Sequence, residues 1–213
     1  MQKEVPNNYR ENPLRWYKEK LRGMTADEVA LRCSLEKEAD CVFVTIMGCR
    51  YSVRIPDFVF KKLTEDKPDF LAAQGVQVLL LHFLTESNYA PGTGKFISFR
   101  EYPSGELYYK AFEGRCLKRL AFSYGTKIQA FCADCEALGA TKISGGDAAY
   151  EMEFMPGLFI RMIIWGPDEE FPPSAQLLFS DNFPVSLSSE GVAGLGDILI
   201  SALKNINKNK PPT

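Results

Sequence analysis

The sequence has almost no excess of charge of either sign. Its 25 Lys and Arg are set against 27 Asp and Glu, for a net charge of −2, and the two signs are mixed along the chain. Nucleic-acid binding normally needs a basic stripe or patch, so no nucleic-acid partner is expected. Long apolar runs are missing too. The longest, "VQVLLLHFL", is about half the ~20 residues needed to span a bilayer. The opening "MQKEVPNNYRENPLRWYKEK" contains no apolar segment of the kind that directs secretion. Six cysteines in 213 residues, without such a segment, suggest reduced thiols rather than a disulfide framework. The expectation is a soluble, cytoplasmic chain with no membrane partner.

Metal-ligand and catalytic spacings are equally scarce. Cys132 and Cys135 form a lone CxxC in "FCADCEAL". On a helix they share one face. A structural zinc needs four ligands, however, and no second CxxC or HxxxH accompanies them. The preceding "TKIQAF" sets the pair well inside the helix, away from the N-terminal dipole that would acidify a thiol. Ordinary half-buried thiols are therefore the leading reading, with metal or redox work as the alternatives. Cys33, Cys41 and Cys49 recur every eight residues, which matches no ligand pattern, and no C-x2-C-x2-C run exists to hold an iron–sulfur cluster. No cofactor is expected.

His82 is the one histidine, set in "LLLHFL". A lone histidine on an apolar helix is more often a hydrogen-bonded core group than a catalyst, and no GxSxG elbow supplies it with a nucleophile. The segment "PGTGKF" is not a phosphate loop. Tyr89 stands where the first glycine is needed, Phe96 replaces the Ser or Thr, and a strand follows instead of a helix.

What is present is a regular alternation of short elements. Tyr9, Leu14, Trp16, Tyr17 and Leu21 predict an amphipathic helix over residues 7–22, ended by Gly23. Thr25 and Glu28 form a capping box for a second helix, to about Leu35. "CVFVTIMGCRYSVRIPD" predicts a hairpin with its break near Gly48. Pro68 and Asp69 open a helix through "LLLHFL" that is apolar nearly all round and so should be central and buried. "KFISF" is a short strand, and two helices follow, the second stopped by Gly139. "AAYEMEFM", "LFIRMIIW" and "AQLLFS" make a sheet with a tight turn at Pro156-Gly157, and a helix through "LGDILISALKNI" closes the chain. This describes one α+β domain over residues 1–205, with an antiparallel or mixed sheet and helices packed on one face. Residues 206–213, "INKNKPPT", are expected to be a flexible tail.

The feature with most chemical content is Asp168-Glu169-Glu170, between Trp165 and Pro172-Pro173. Neighbours on a regular strand face opposite ways, so three carboxylates can converge only where the strand has ended. Pro167 marks such an end. The plain reading is a turn with Asp168 accepting backbone N–H groups. The reading taken forward is an ion-paired anchor, with Arg100 the first-choice partner and Arg115 and Arg161 behind it. Flanking Phe171 and Pro172 would half-bury such a loop, and a buried unpaired charge is costly.

The segments "LLLHFL", "GKFISFREYPSGELYYKAF", "SGGDAAYEMEF" and "PDEEFPPSAQLLFS" together resemble a family of bacterial and archaeal proteins, the domain of unknown function numbered 3786, over about residues 70–200. By position the family's characteristic polar residues fall on His82, Arg100, Gly146, Asp147, Asp168, Glu169 and Glu170. The resemblance implies no particular activity. It does imply an anaerobic or microaerophilic cytoplasmic setting, since some members carry a short iron–sulfur segment like those of corrinoid one-carbon proteins. This chain lacks that segment, so any such chemistry would run through a partner carrying an iron–sulfur cluster or a corrinoid. The expectation is a binding or accessory protein. The alternative is an enzyme with an acid–base site drawn from Asp168, Glu169, Glu170, Arg100, Asp147 and His82, and a third reading is a metal-binding thiol protein using Cys132 and Cys135.

Overall fold

The structure, a computed structural model, describes residues 12–206. The first helix, α1 (Pro13–Arg22), begins where Asn12 accepts the Arg15 N–H at 3.0 Å and Pro13 takes the first helical position. It buries Tyr17 and Leu21. Residues 7–11 of the expected helix lie outside the described residues. The Thr25–Glu28 capping box forms as the sequence predicts, and α2 (Ala26–Cys33) follows it.

Four antiparallel strands come next: β1 (Glu36–Glu38), β2 (Cys41–Ile46), β3 (Cys49–Arg54) and β4 (Val59–Lys62), adjacent in chain order. The predicted β2–β3 hairpin is their centre, turning at Met47-Gly48. A 3-10 turn at Phe70–Ala72, capped by Asp69, leads into α3 (Gln74–Glu86). Residues 79–85 of α3 are all buried, which makes it the central helix its composition predicted.

β5 (Phe96–Ser98) leads to α4 (Gly105–Phe112), a wide π turn at Glu113–Lys118 and α5 (Arg119–Tyr124). α6 (Ile128–Leu138) ends at Gly139, whose φ of 93° is the left-handed cap expected of it. Then come β6 (Thr141–Ile143), β7 (Ala148–Met155), β8 (Leu158–Trp165), β9 (Ser174–Ser180), α7 (Phe183–Ser186), α8 (Ser189–Ala193) and α9 (Leu195–Ile206). Strands β5 to β9 form a second antiparallel sheet in the order β5-β9-β8-β7-β6.

The fold is α+β with two antiparallel sheets among the described residues, where the sequence suggested a single antiparallel or mixed one. The sheets are tied at the tip of the first hairpin, where the Met47 N–H donates to the Phe154 carbonyl at 3.1 Å. β1, β4 and β6 escaped the sequence reading because "EKE", "VFKK" and "TKI" are short and mostly exposed, with little apolar alternation to mark them. The closing helix is broken at Gly194 into α8 and α9. α9 then passes so close to the π turn that a side chain at Gly196 would collide with Cys116. Ile206, placed at the start of the expected tail, is a buried helix residue, and 207–213 lie outside the described residues.

The five-stranded sheet positions everything that follows. Its inner face buries Tyr150, Met152 and Phe154 of β7, Ile160, Met162 and Ile164 of β8, and Leu177 and Phe179 of β9 beneath the helices. "LFIRMIIW" looks like a continuous apolar run, but its residues alternate inward and outward as on any strand. Phe159, Arg161, Ile163 and Trp165 therefore point away from the core.

Candidate functional site

Asp147 immediately precedes β7, and its carboxylate accepts the Gly166 N–H at 2.7 Å while its own N–H donates to the Ile164 carbonyl at 2.9 Å. The preceding Gly146 has φ 52°, and a Cβ there would lie 2.5 Å from the Ile164 oxygen. Only glycine lets the backbone approach this closely. The family-matched "SGGD" and "WGPDEE" segments thus meet at one end of the five-stranded sheet.

Beyond Gly166 the loop closes on itself. Asp168 Oδ1 accepts the N–H groups of Glu170 at 2.9 Å and Phe171 at 2.7 Å, and the Asp168 N–H donates to the Phe171 carbonyl at 3.0 Å. This is the plain turn that an Asp followed by such residues can make. Among the described residues no ion pair reaches Asp168, Glu169 or Glu170, and all three are exposed.

The expected pairing with Arg100 does not form. Arg100 lies in a 3-10 turn after β5, with its guanidinium 3.8 Å from the centre of the Tyr109 ring and 3.7 Å from Glu106. The contact with Tyr109 raises its pKa, with the nearby carboxylates adding to the effect. The half-buried loop is corrected as well. Phe171 is 65% exposed, so no desolvation forces the carboxylates to find a cation.

Arg161, the last of the three candidate partners, does pair with a carboxylate, but with Glu151 and not with the acidic loop. Arg161 Nε lies 2.7 Å from Glu151 Oε2, directly across the β7–β8 ladder, and its guanidinium sits over the Phe96 ring at 3.7 Å. That partner was readable in principle, since a Pro-Gly turn at 156–157 sets Arg161 opposite a residue near Glu151.

His82 is in the core, its side chain 5% exposed. Nε2 is 3.4 Å from Glu86 one turn later, and the ring stacks on Tyr17 of α1 with centroids 5.2 Å apart. Lys20 pairs with the same Glu86, which ties α1 to α3. Burial lowers the His82 pKa, Glu86 opposes that, and Lys20 adds to it.

Burial also pushes the thiols up: Cys33 and Cys116 to about 11, and Cys49 and Cys135 likewise upward. Cys132 and Cys135 lie on α6 as predicted, the first half-buried and the second buried. Among the described residues no three His, Cys, Asp or Glu are arranged to hold a metal.

No side-chain bond joins any two of Asp168, Glu169, Glu170, Arg100, Asp147 and His82 among the described residues. Four surface grooves, from about 330 to 530 Å3, are lined by none of them. The nearest runs from Gly125 to Gln129 at the start of α6 and meets Gly166 and Pro167. The residues that composition and motif reading missed are the outward aromatics, Phe159 and Trp165, each 37% exposed, and Phe171.

The fold is an α+β domain in which four of the six candidate polar groups, His82, Arg100, Asp147 and Asp168, make local contacts. The chain is a member of the family described as Domain of unknown function (DUF3786), whose model matches residues 25–202. The match starts at the capping box of α2 and takes in the first sheet, well before residue 70 where the resemblance was first legible. No curated protein and no solved structure matches the chain. Among the described residues no helix is long and apolar enough to cross a membrane.

Proposed function

We propose that this chain is a binding or accessory protein of the cytoplasm, serving a protein partner that carries an iron–sulfur cluster or a corrinoid of one-carbon metabolism. The observation that carries the binding reading is the separation of the polar candidates. An acid–base site needs its groups within hydrogen-bonding reach of one shared point. Here His82 is held by Glu86 and Tyr17, Arg100 by Tyr109 and Glu106, Asp147 by the Gly166 N–H, and Asp168 by its own turn. Each group has the partners of a structural residue. An enzyme built on these four side chains is correspondingly disfavoured, and Glu169 and Glu170 are exposed on the turn that Asp168 closes.

The nature of the partner rests on the family resemblance, in which the iron–sulfur segment of some members is missing from this chain. The absence of a basic excess argues against a nucleic-acid partner.

The test is co-purification of the tagged full chain from its source cells grown without oxygen. The reading predicts a stoichiometric complex whose second component contains iron or cobalt by elemental analysis and absorbs in the visible. Recovery of the chain alone, together with turnover abolished by Asp147→Asn, would favour the enzyme instead.

A further inference from the structure

Between the start of α3 and α9 lies a groove of about 330 Å3. Met47, Phe70, Val76 and Ile198 supply its apolar walls. The first three are core residues, so those walls are held in place by packing and not by the groove's contents. Sites for small molecules are concave and mostly apolar with a few polar groups, and their volumes start at about 300 Å3. An apolar cavity of about 150 Å3 takes up benzene, so roughly twice that space suits two fused rings.

The α3 side of the groove is made of small exposed residues, Ala72, Ala73 and Gly75. Gly75 stands in the first turn of α3 and has no positive φ that would call for glycine. Beyond its own helix, a Cβ there would meet only Ile198 Cδ1, at 4.0 Å, which is ordinary contact. Packing therefore does not demand glycine, although glycine costs a helix up to about 1 kcal/mol relative to alanine. What the glycine does achieve is to keep the space beside Ile198 open.

Charge decides what can fill that space. No Lys, Arg or His lines the groove, and its two charged residues are Asp69 and Asp197. Both oppose an anion. Neither waits for a cation. Asp197 pairs with Arg119, while Asp69 Oδ1 accepts the Tyr51 hydroxyl and the Leu71 N–H, each at 3.1 Å. Ser201 and Asn205, exposed on α9, are the uncharged polar groups of the lining. Each can donate to or accept from an oxygen without charge on either side.

We propose that this groove binds a small uncharged molecule, an apolar body of about two fused rings with one hydroxyl or carbonyl oxygen directed at Ser201 or Asn205. The site is independent of the protein partner proposed above.

The test titrates the isotope-labelled full chain with naphthol, naphthoate and naphthylmethylamine, followed by amide NMR signals at neutral pH. The three probes share one ring system and are uncharged, negative and positive. Naphthol should shift the signals of Gly75, Val76, Ile198 and Ser201 to saturation. It should bind at least about tenfold more tightly than either charged probe, because an ion gives up hydration that this lining does not replace. Gly75→Leu should abolish the naphthol shifts while the melting temperature holds or rises, since leucine fills the groove and favours the helix. Ser201→Phe blocks the groove from α9 and should abolish them too. Naphthol that leaves the groove signals unmoved would overturn the proposal, as would a charged probe that binds as tightly. Binding that survives both variants would overturn it as well. A fall in melting temperature for Gly75→Leu would show that the glycine serves the fold, which removes that support and leaves Ser201→Phe to decide the site.

Discussion

At the scale of single residues, the fold spends its polar chemistry locally, and His82 shows this most clearly. Its folded pKa is depressed by burial, so over the acid range the unfolded chain binds the proton more readily than the folded one. Stability is then full above the unfolded value of about 6.5 and declines as the pH falls below it toward the lower folded value. Melting temperatures measured from pH 7.5 to pH 5 should fall, and His82→Gln should flatten that part of the profile. A histidine stabilised by protonation would give the opposite slope.

Asp168 calls for a smaller number than a buried ion pair would. It accepts two backbone N–H groups in an exposed turn, so Asp168→Ala should cost about 1 kcal/mol, whereas Glu169→Ala and Glu170→Ala should stay within about 0.5 kcal/mol. A loss of several kcal/mol at either glutamate in denaturant titrations would restore the paired anchor. The thiols give a further check. Cys41 and Cys132 are half-buried while Cys33, Cys49, Cys116 and Cys135 are buried, so a chromogenic disulfide reagent should find two fast thiols in the native chain and six after denaturation.

At the scale of elements, what was legible in the sequence was whatever is decided by neighbours in the chain. The Thr25–Glu28 box, the Gly139 stop, the Pro156-Gly157 turn and the buried α3 all follow from residues within a turn or two of one another. The Arg100 partner was not legible, because the 3-10 turn at Phe99–Glu101 carries that side chain onto α4, where Tyr109 and Glu106 lie. The open sheet face was hidden for another reason. β8 is apolar on both sides, and hydrophobicity alone cannot say which side is covered. The break at Gly194 and the close crossing of α9 over the π turn depend on contacts far apart in sequence. Gly196→Ala should therefore cost about 1–3 kcal/mol or more, since a methyl group there has no room beside Cys116. An exposed helical glycine would instead gain from the same change, so the sign of the shift in melting temperature separates the two cases.

At the scale of the whole molecule, two sheets are joined at the Met47–Phe154 hydrogen bond, and among the described residues the outward side of β8 in the larger sheet is partly exposed. The family-matched "SGGD" and "WGPDEE" segments meet at one end of that sheet through the Asp147–Gly166 hydrogen bond, and the proposed function makes the surface there, and not an enclosed cleft, the working part of the protein. Hydrogen–deuterium exchange of the full chain, free and in complex with the co-purified partner, tests this most directly. The account predicts slowed exchange in residues 158–176, covering β8, the acidic loop and the start of β9, with the groove between Pro68 and α9 unchanged. Protection confined to that groove, with β8 and its loop exchanging as in the free chain, would contradict it.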